Sequence, residues 1–150
     1  MTHALIRPIA LALALAALAC GGSDNSAATT TPTTVAAPTE ALFEGKLQSS
    51  GDSTFFSFTV AASGDVIVTL ASVTTTTTPG SSTNLVLGIG LGSPLATDCN
   101  VSPTMQTSTA PGLTAQLVQT NVSPAIYCVR VFDVGKLTVP VNFAVRIVHT

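Results

Sequence analysis

From residue 41 onward the apolar positions recur every second residue, the pattern of a strand with one buried face. Phe56, Phe58 and Val60 share one face of a segment spanning 54–61, with Ser57 and Thr59 on the other. Ser63-Gly64-Asp65 supplies turn chemistry, and Val66, Val68 and Leu70 line a second strand. The tract from Thr74 to Ser82 reads as a loop, because Pro79 and Gly80 close off a run whose Thr residues would individually suit a strand. In 84–92, Leu85, Leu87, Ile89 and Leu91 lie on one face and Gly88, Gly90 and Gly92 on the other, which lets another backbone or an aromatic ring approach the glycine face. Ser93-Pro94 then turns the chain, and 95–111 is polar and irregular. Patterning resumes over 113–119, breaks at Asn121-Val122-Ser123-Pro124 and returns over 125–132, where Tyr127, Val129 and Val131 share a face and Cys128 points the other way. The last strand carries Val141, Phe143, Val145 and Ile147 inward, with Pro140 at its start. With a short strand at 43–47 this makes about seven strands and no capped helical period, so the predicted fold is all-β, an antiparallel two-sheet sandwich over 41–150.

The N-terminal pattern is different in kind. His3 and Arg7 precede an uninterrupted apolar run from Ile9 to Ala19. As a helix that run would reach roughly 17 Å, short of the ~30 Å of a bilayer core, so it reads as an export signal over 1–19 rather than a membrane span or a buried helix. Its end, Ala17-Leu18-Ala19-Cys20-Gly21, resembles the lipobox of bacterial lipoproteins, with Ala17 where Leu is usual and Leu18 where a small residue is usual. The resemblance implies a diacylglyceryl group on Cys20, which becomes the N-terminus and holds the protein to a membrane outside the cytoplasm. Gly21 is not the Asp associated with inner-membrane retention, so an outer-membrane destination is expected where there are two membranes. From Cys20 to Glu40 the chain is rich in Thr, Ser, Ala and Pro and has no aromatic residue, the composition of a disordered tether with a root-mean-square span of roughly 25 Å. The same Thr/Ser/Pro content makes it a candidate for O-glycosylation.

Cysteine count supports the same organisation. An odd number of Cys in an exported chain leaves one over. With Cys20 lipidated, Cys99 and Cys128 remain as a pair able to close a disulfide in an oxidising compartment, the alternative being two reduced buried thiols. A bond enclosing about 30 residues would contribute roughly 3–4 kcal/mol on the chain-entropy estimate. Only 8% of residues are charged, five Lys and Arg against seven Asp and Glu; loss of Arg7 leaves four basic residues and a net charge of −3. That surface has no footprint for nucleic acid and no polybasic patch to reinforce a lipid anchor.

The order of motifs resembles one family. The succession Phe43-Glu44-Gly45-Lys46-Leu47, Gly51-Asp52, Phe56-Ser57-Phe58-Thr59-Val60, Gly64-Asp65-Val66-Ile67-Val68-Thr69-Leu70, Asn84-Leu85-Val86-Leu87 and Ile126-Tyr127-Cys128-Val129-Arg130-Val131 is similar to the bacterial pre-peptidase C-terminal (PPC) domain over about 41–148. The resemblance implies a jelly-roll-like sandwich that accompanies exported peptidases, making an envelope protein or such a peptidase the expected partner. Ser123-Pro124-Ala125 stands where the family has Gly before its aromatic strand, and Leu95 to Asn100 replaces an acidic run. Relatives that bind calcium use clustered acids near the domain entrance; Glu40, Glu44 and Asp52 alone could correspond, and none is carried over as a ligand.

Catalytic chemistry is sparse. Gly88-Ile89-Gly90-Leu91-Gly92 has neither dinucleotide-loop nor phosphate-loop spacing and no following Lys. His149, the one His after Cys20, is penultimate and reads as a solvated terminal side chain, and no CxxC offers a metal site. Asp52, Asp65, Asp98 and Asp133 occupy turn contexts; Asp98 with Asp133 is the one calcium pair to consider, and Asp98, Asp133 and His149 the one enzymatic set. Phe55 is out of phase with its strand and expected to pack on the other sheet's edge or the tether. With no Trp and a single Tyr, Tyr127, the chain has no aromatic platform for sugar, whereas binding along a sheet edge needs no special side chain. The sequence points to a lipid-anchored, noncatalytic envelope module with no metal or cofactor, the alternatives being a purely structural surface lipoprotein or a small envelope hydrolase.

Overall fold

The computed structural model describes residues 36–77 and 81–150. The export signal, Cys20 and most of the tether lie outside the described residues. Among the described residues there are eight strands: β1 (Thr39–Leu47), β2 (Ser53–Val60), β3 (Gly64–Thr75), β4 (Leu87–Leu95), β5 (Asp98–Thr109), β6 (Leu117–Val122), β7 (Ala125–Asp133) and β8 (Val141–His149). They form two four-stranded antiparallel sheets, in the orders β1-β8-β3-β6 and β2-β7-β4-β5. The architecture is an all-β sandwich, as the alternation predicts.

The core follows from that alternation. Val66, Val68 and Leu70 of β3 and Val141, Phe143, Val145 and Ile147 of β8 face Leu87, Ile89 and Leu91 of β4 and Val129 and Val131 of β7, all buried. Each such side chain fully withdrawn from water contributes about 1.5–3 kcal/mol before chain entropy is counted. Phe56 bridges the layers, stacked on Phe43 at 5.0 Å between centroids and edge-on to Phe143 at 6.1 Å. The structure also bears out the glycine face. Gly88 lies under the Phe132 ring, Gly90 under Val101, and Gly92 under the backbone of Asn100 and Val101, so a Cβ at any of them would overlap its neighbour.

Several expectations are corrected. The alternation predicts about seven strands because β5 carries no alternating apolar signal. Its segment, Asp-Cys-Asn-Val-Ser-Pro-Thr-Met-Gln-Thr-Ser-Thr, lies at a sheet edge, and its positions paired with buried Leu87 and Ile89 are Thr109 and Thr107. Thr suits a strand while giving no hydrophobic signal. Pro94 does not turn the chain: it pairs with Cys99 after the β4–β7 pairing has ended at Gly92, so its missing N–H breaks no bond to β7. The reversal falls at Ala96-Thr97, with Ala96 at φ 50°. Thr74 and Thr75 belong to β3, held by pairing with β8, and β1 starts at Thr39, two residues into the span expected as tether. Phe55 lies opposite Arg130 on the outer face of the second sheet rather than against the other sheet's edge.

His149 is the largest departure. It is buried, 7% exposed, with its ring 5.1 Å from that of Phe58 and Nδ1 3.3 Å from the Thr150 carbonyl oxygen. The chain end is stitched to the turn before β3, where Ala61 N–H donates to the Thr150 carbonyl and the Thr150 hydroxyl donates to that of Ala62. A penultimate position in sequence is thus an interior position in the fold.

Candidate functional site

The two ends of the sandwich are closed by different chemistry. At one end β7 finishes in Asp133, which is 8% exposed. Its Oδ1 accepts the N–H groups of Lys136 and Leu137, each at 2.9 Å, and its Oδ2 accepts Gly51 N–H at 3.0 Å and the Ser50 hydroxyl at 3.2 Å. Burial raises the carboxyl's pKa, but the N–H donors of Gly51, Lys136, Leu137 and Gly135 outweigh it and hold the group below the usual carboxylate range. Asp133 joins the β1–β2 turn to the loop before β8.

At the other end the sheets part. Here β5 and β6, one edge strand from each sheet, flank a cleft of about 420 Å³. Its apolar part is Leu91, Met105, Val122 and Tyr127, and its rim includes Asn100, Ser102, Gln119, Asn121 and Ser123. Three of the rim residues have a cause in the strand registers. The β4–β5 register jumps so that Leu91 alone faces 102–105, which throws Ser102 outward and turns Met105 back toward the core. Gln119 pairs with Val66 and occupies an inward position of β6 that a closed core would give to an apolar residue. Asn121 sits at φ 55°, the left-handed region that Asn tolerates, where the β3–β6 register shifts, and its N–H donates to Asp65 Oδ1 at 3.2 Å.

The Cys99–Cys128 disulfide holds this end together, with Cα atoms 5.9 Å apart and both residues buried. Cys128 lies opposite Gly92, and only because Gly92 lacks a Cβ can the backbone at Asn100 fold across β4 to bring Cys99 within reach. The bond therefore fixes two cleft residues, Asn100 and Tyr127, each one position from a bridged Cys. Tyr127 is further oriented by its hydroxyl, which donates to the Ser123 carbonyl at 3.0 Å.

The other candidates are not brought together. Asp133 pairs with Leu87 through β4 and β7, whereas Asp98 pairs with Leu95, about 26 Å away at the usual strand rise. Asp98 Oδ1 accepts the Cys99 N–H at 2.8 Å. His149 packs on Phe58, whose β7 partner Tyr127 is six residues, about 20 Å, from Asp133. The enzymatic set and the calcium pair are thus separated. Asp52 is engaged by Gln48 and Ser53 N–H, and Glu40 forms a two-point ion pair with Arg146 at 2.7 and 2.8 Å, a hydrogen bond that lowers the Glu40 pKa and raises that of Arg146. Among the described residues no three His, Cys, Asp or Glu side chains cluster as metal ligands.

Leu91 and Tyr127 follow the alternation, whereas the polar rim residues interrupt it and so leave no periodic signal. The available signal is Gln119, polar at a position in phase with Leu117, followed by Asn121. No family model, curated protein or solved structure matches this chain.

Proposed function

We propose that this protein is a noncatalytic binding module of the cell envelope, held to a membrane by a lipid on Cys20 and receiving its ligand in the cleft between β5 and β6. The observation that carries the binding part is the chemistry of the cleft lining. Its amides and hydroxyls can donate and accept hydrogen bonds, while among the described residues no carboxylate, imidazole, amine or free thiol lies in the lining to exchange protons or attack a substrate. The anchor rests on the apolar run ending at Ala17-Leu18-Ala19-Cys20 and on the pairing of the other two Cys, which leaves Cys20 free for modification. The resemblance of 41–148 to the PPC domain adds an exported context, with an envelope protein or exported peptidase as neighbour.

Two measurements test the reading. Cys20→Ser should release the protein from membranes or leave it as unprocessed precursor; processed, membrane-bound protein would refute the anchor. For the cleft, the full chain extracted in detergent should sediment with lipid-stripped cell walls, and Asn121→Arg, which fills the cleft, should abolish that retention. Equal retention of variant and wild type would refute the cleft as the binding place.

A further inference from the structure

We infer that the cleft is a saccharide subsite, taking a short stretch of neutral glycan; this deepens the proposed binding function and rests on it. Size, polarity, charge and backbone geometry lead there together. A volume of about 420 Å³ falls within the range of ~300–1,000 Å³ typical of small-ligand sites. Its lining is divided as a sugar is divided. The lone Tyr, which its inward phase in the sequence would place in the core, instead opens on the cleft: Met105 and Tyr127, both partly exposed, offer apolar surface for the C–H face of a pyranose ring, and Asn100, Gln119 and Asn121 offer amides that donate and accept at once, matching hydroxyls that do the same. Among the described residues, the side-chain amides of Asn100 and Asn121 make no hydrogen bond within the protein, and that of Gln119 makes only a 3.5 Å contact to the Thr120 carbonyl. These groups are free to bond a ligand without first breaking an internal bond.

Charge and edge geometry exclude the competitors. Among the described residues no Lys or Arg lines the cleft to balance a phosphate or a uronic acid, and no acid lines it to hold a cationic ligand. An extended peptide would bind by adding a strand to β5 or β6, which needs a regular ladder of edge N–H and C=O groups. Both edges are broken where they border the cleft, β5 by the bulge at 102–105 with Pro103 inside it and β6 by the left-handed Asn121. Bulged edges resist strand addition. A neutral polyhydroxyl ligand needs only the side chains.

The test titrates the full chain, solubilised in a polyoxyethylene detergent that carries no sugar headgroup, with maltotriose, cellotriose and triacetylchitotriose by calorimetry. At least one is expected to bind at millimolar concentration or better. Gln119→Ala and Asn121→Asp, the second of which keeps a residue tolerant of φ 55°, should each weaken that sugar about tenfold, the loss of one good hydrogen bond. Asn142→Ala, on the outer face of the first sheet, should bind as wild type. Thermal melts of each variant separate lost binding from lost folding. Absence of binding by all three sugars overturns the inference, as does binding unchanged by both cleft variants. A neutral Gly-Ser hexapeptide that binds in a Gln119-dependent way where the sugars do not would assign the cleft to peptide. If cell-wall retention stays sensitive to Asn121→Arg while no sugar binds, the binding module stands and its ligand class is wrong; if retention also fails, both readings fall.

Discussion

The two ends of the sandwich solve one problem in opposite ways. At the Asp133 end a single buried carboxylate gathers loop N–H groups from Gly51, Lys136 and Leu137, and Leu47, Leu137 and Val141 are sealed behind it. At the cleft end, among the described residues, no buried carboxylate gathers the loops. A covalent bond holds a hairpin across the glycine face, the strand edges bulge, and polar side chains occupy positions a core would fill. The first arrangement closes space, because a carboxylate with its lone pairs satisfied tolerates burial. The second leaves space open, because a disulfide tolerates irregular backbone around it that no hydrogen-bond ladder would hold.

The largest expected effect comes from removing the covalent half of that contrast. Replacing Cys99 and Cys128 together by Ser should lower unfolding free energy by about 3–4 kcal/mol, from the restored freedom of the enclosed loop. Chemical denaturation measures the total, and amide exchange should show the extra opening concentrated in 91–106 rather than near Asp133. Uniform loosening would break the comparison.

Asp133→Ala should cost about 2–3 kcal/mol by stranding N–H donors at the closed end. It should leave cell-wall retention intact in conditions where the variant is folded. The same carboxylate gives the fold a pH dependence of definite sign. Its folded pKa is depressed, so its contribution is fully present above the unfolded-state carboxylate value and is lost as pH falls through the folded-state value. Denaturation midpoints measured from neutral pH down into that acid window should fall for wild type and less steeply for Asp133→Ala; parallel curves would show that the carboxylate is not the buttress described.

The smallest effect sharpens the comparison at single-atom scale. A Cβ at Gly92 would overlap the Asn100 carbonyl, which is backbone and cannot rotate aside, whereas a Cβ at Gly51 meets no neighbour and suffers only from φ 80°. Gly92→Ala is expected to cost about 2 kcal/mol and Gly51→Ala about 1 kcal/mol, read from thermal melts. Equal costs would mean that the hairpin does not press on β4 as closely as the geometry indicates.

Most of the sandwich was legible because burial of one face leaves a mark on every second residue. Phe56-Phe58-Val60, Val66-Val68-Leu70 and Val141-Phe143-Val145-Ile147 lie inward as their spacing predicts. The glycine face was legible for a related reason, since three Gly in alternate positions deprive one side of a strand of all side chains. Illegible elements are those whose role depends on distant neighbours. β5 carries no alternating apolar face and is held by its pairing with Gly-rich β4, by the Cys99–Cys128 bond and by Val101 and Met105, and Asp133 looks like any turn Asp until Gly51, 82 residues earlier in the chain, is placed beside it.

By itself, then, the sequence determined which faces turn inward, that both layers are β, and that Cys99 and Cys128 were available to each other. These follow from local periodicity and composition, which each segment carries with it. Tertiary structure alone decided that His149 is interior, that Asp98 and Asp133 stand apart, and that Asn100, Gln119 and Asn121 meet around one cleft. Those outcomes depend on which strands become edges and where their registers slip, and both are settled only when segments far apart in the chain compete for the same partners.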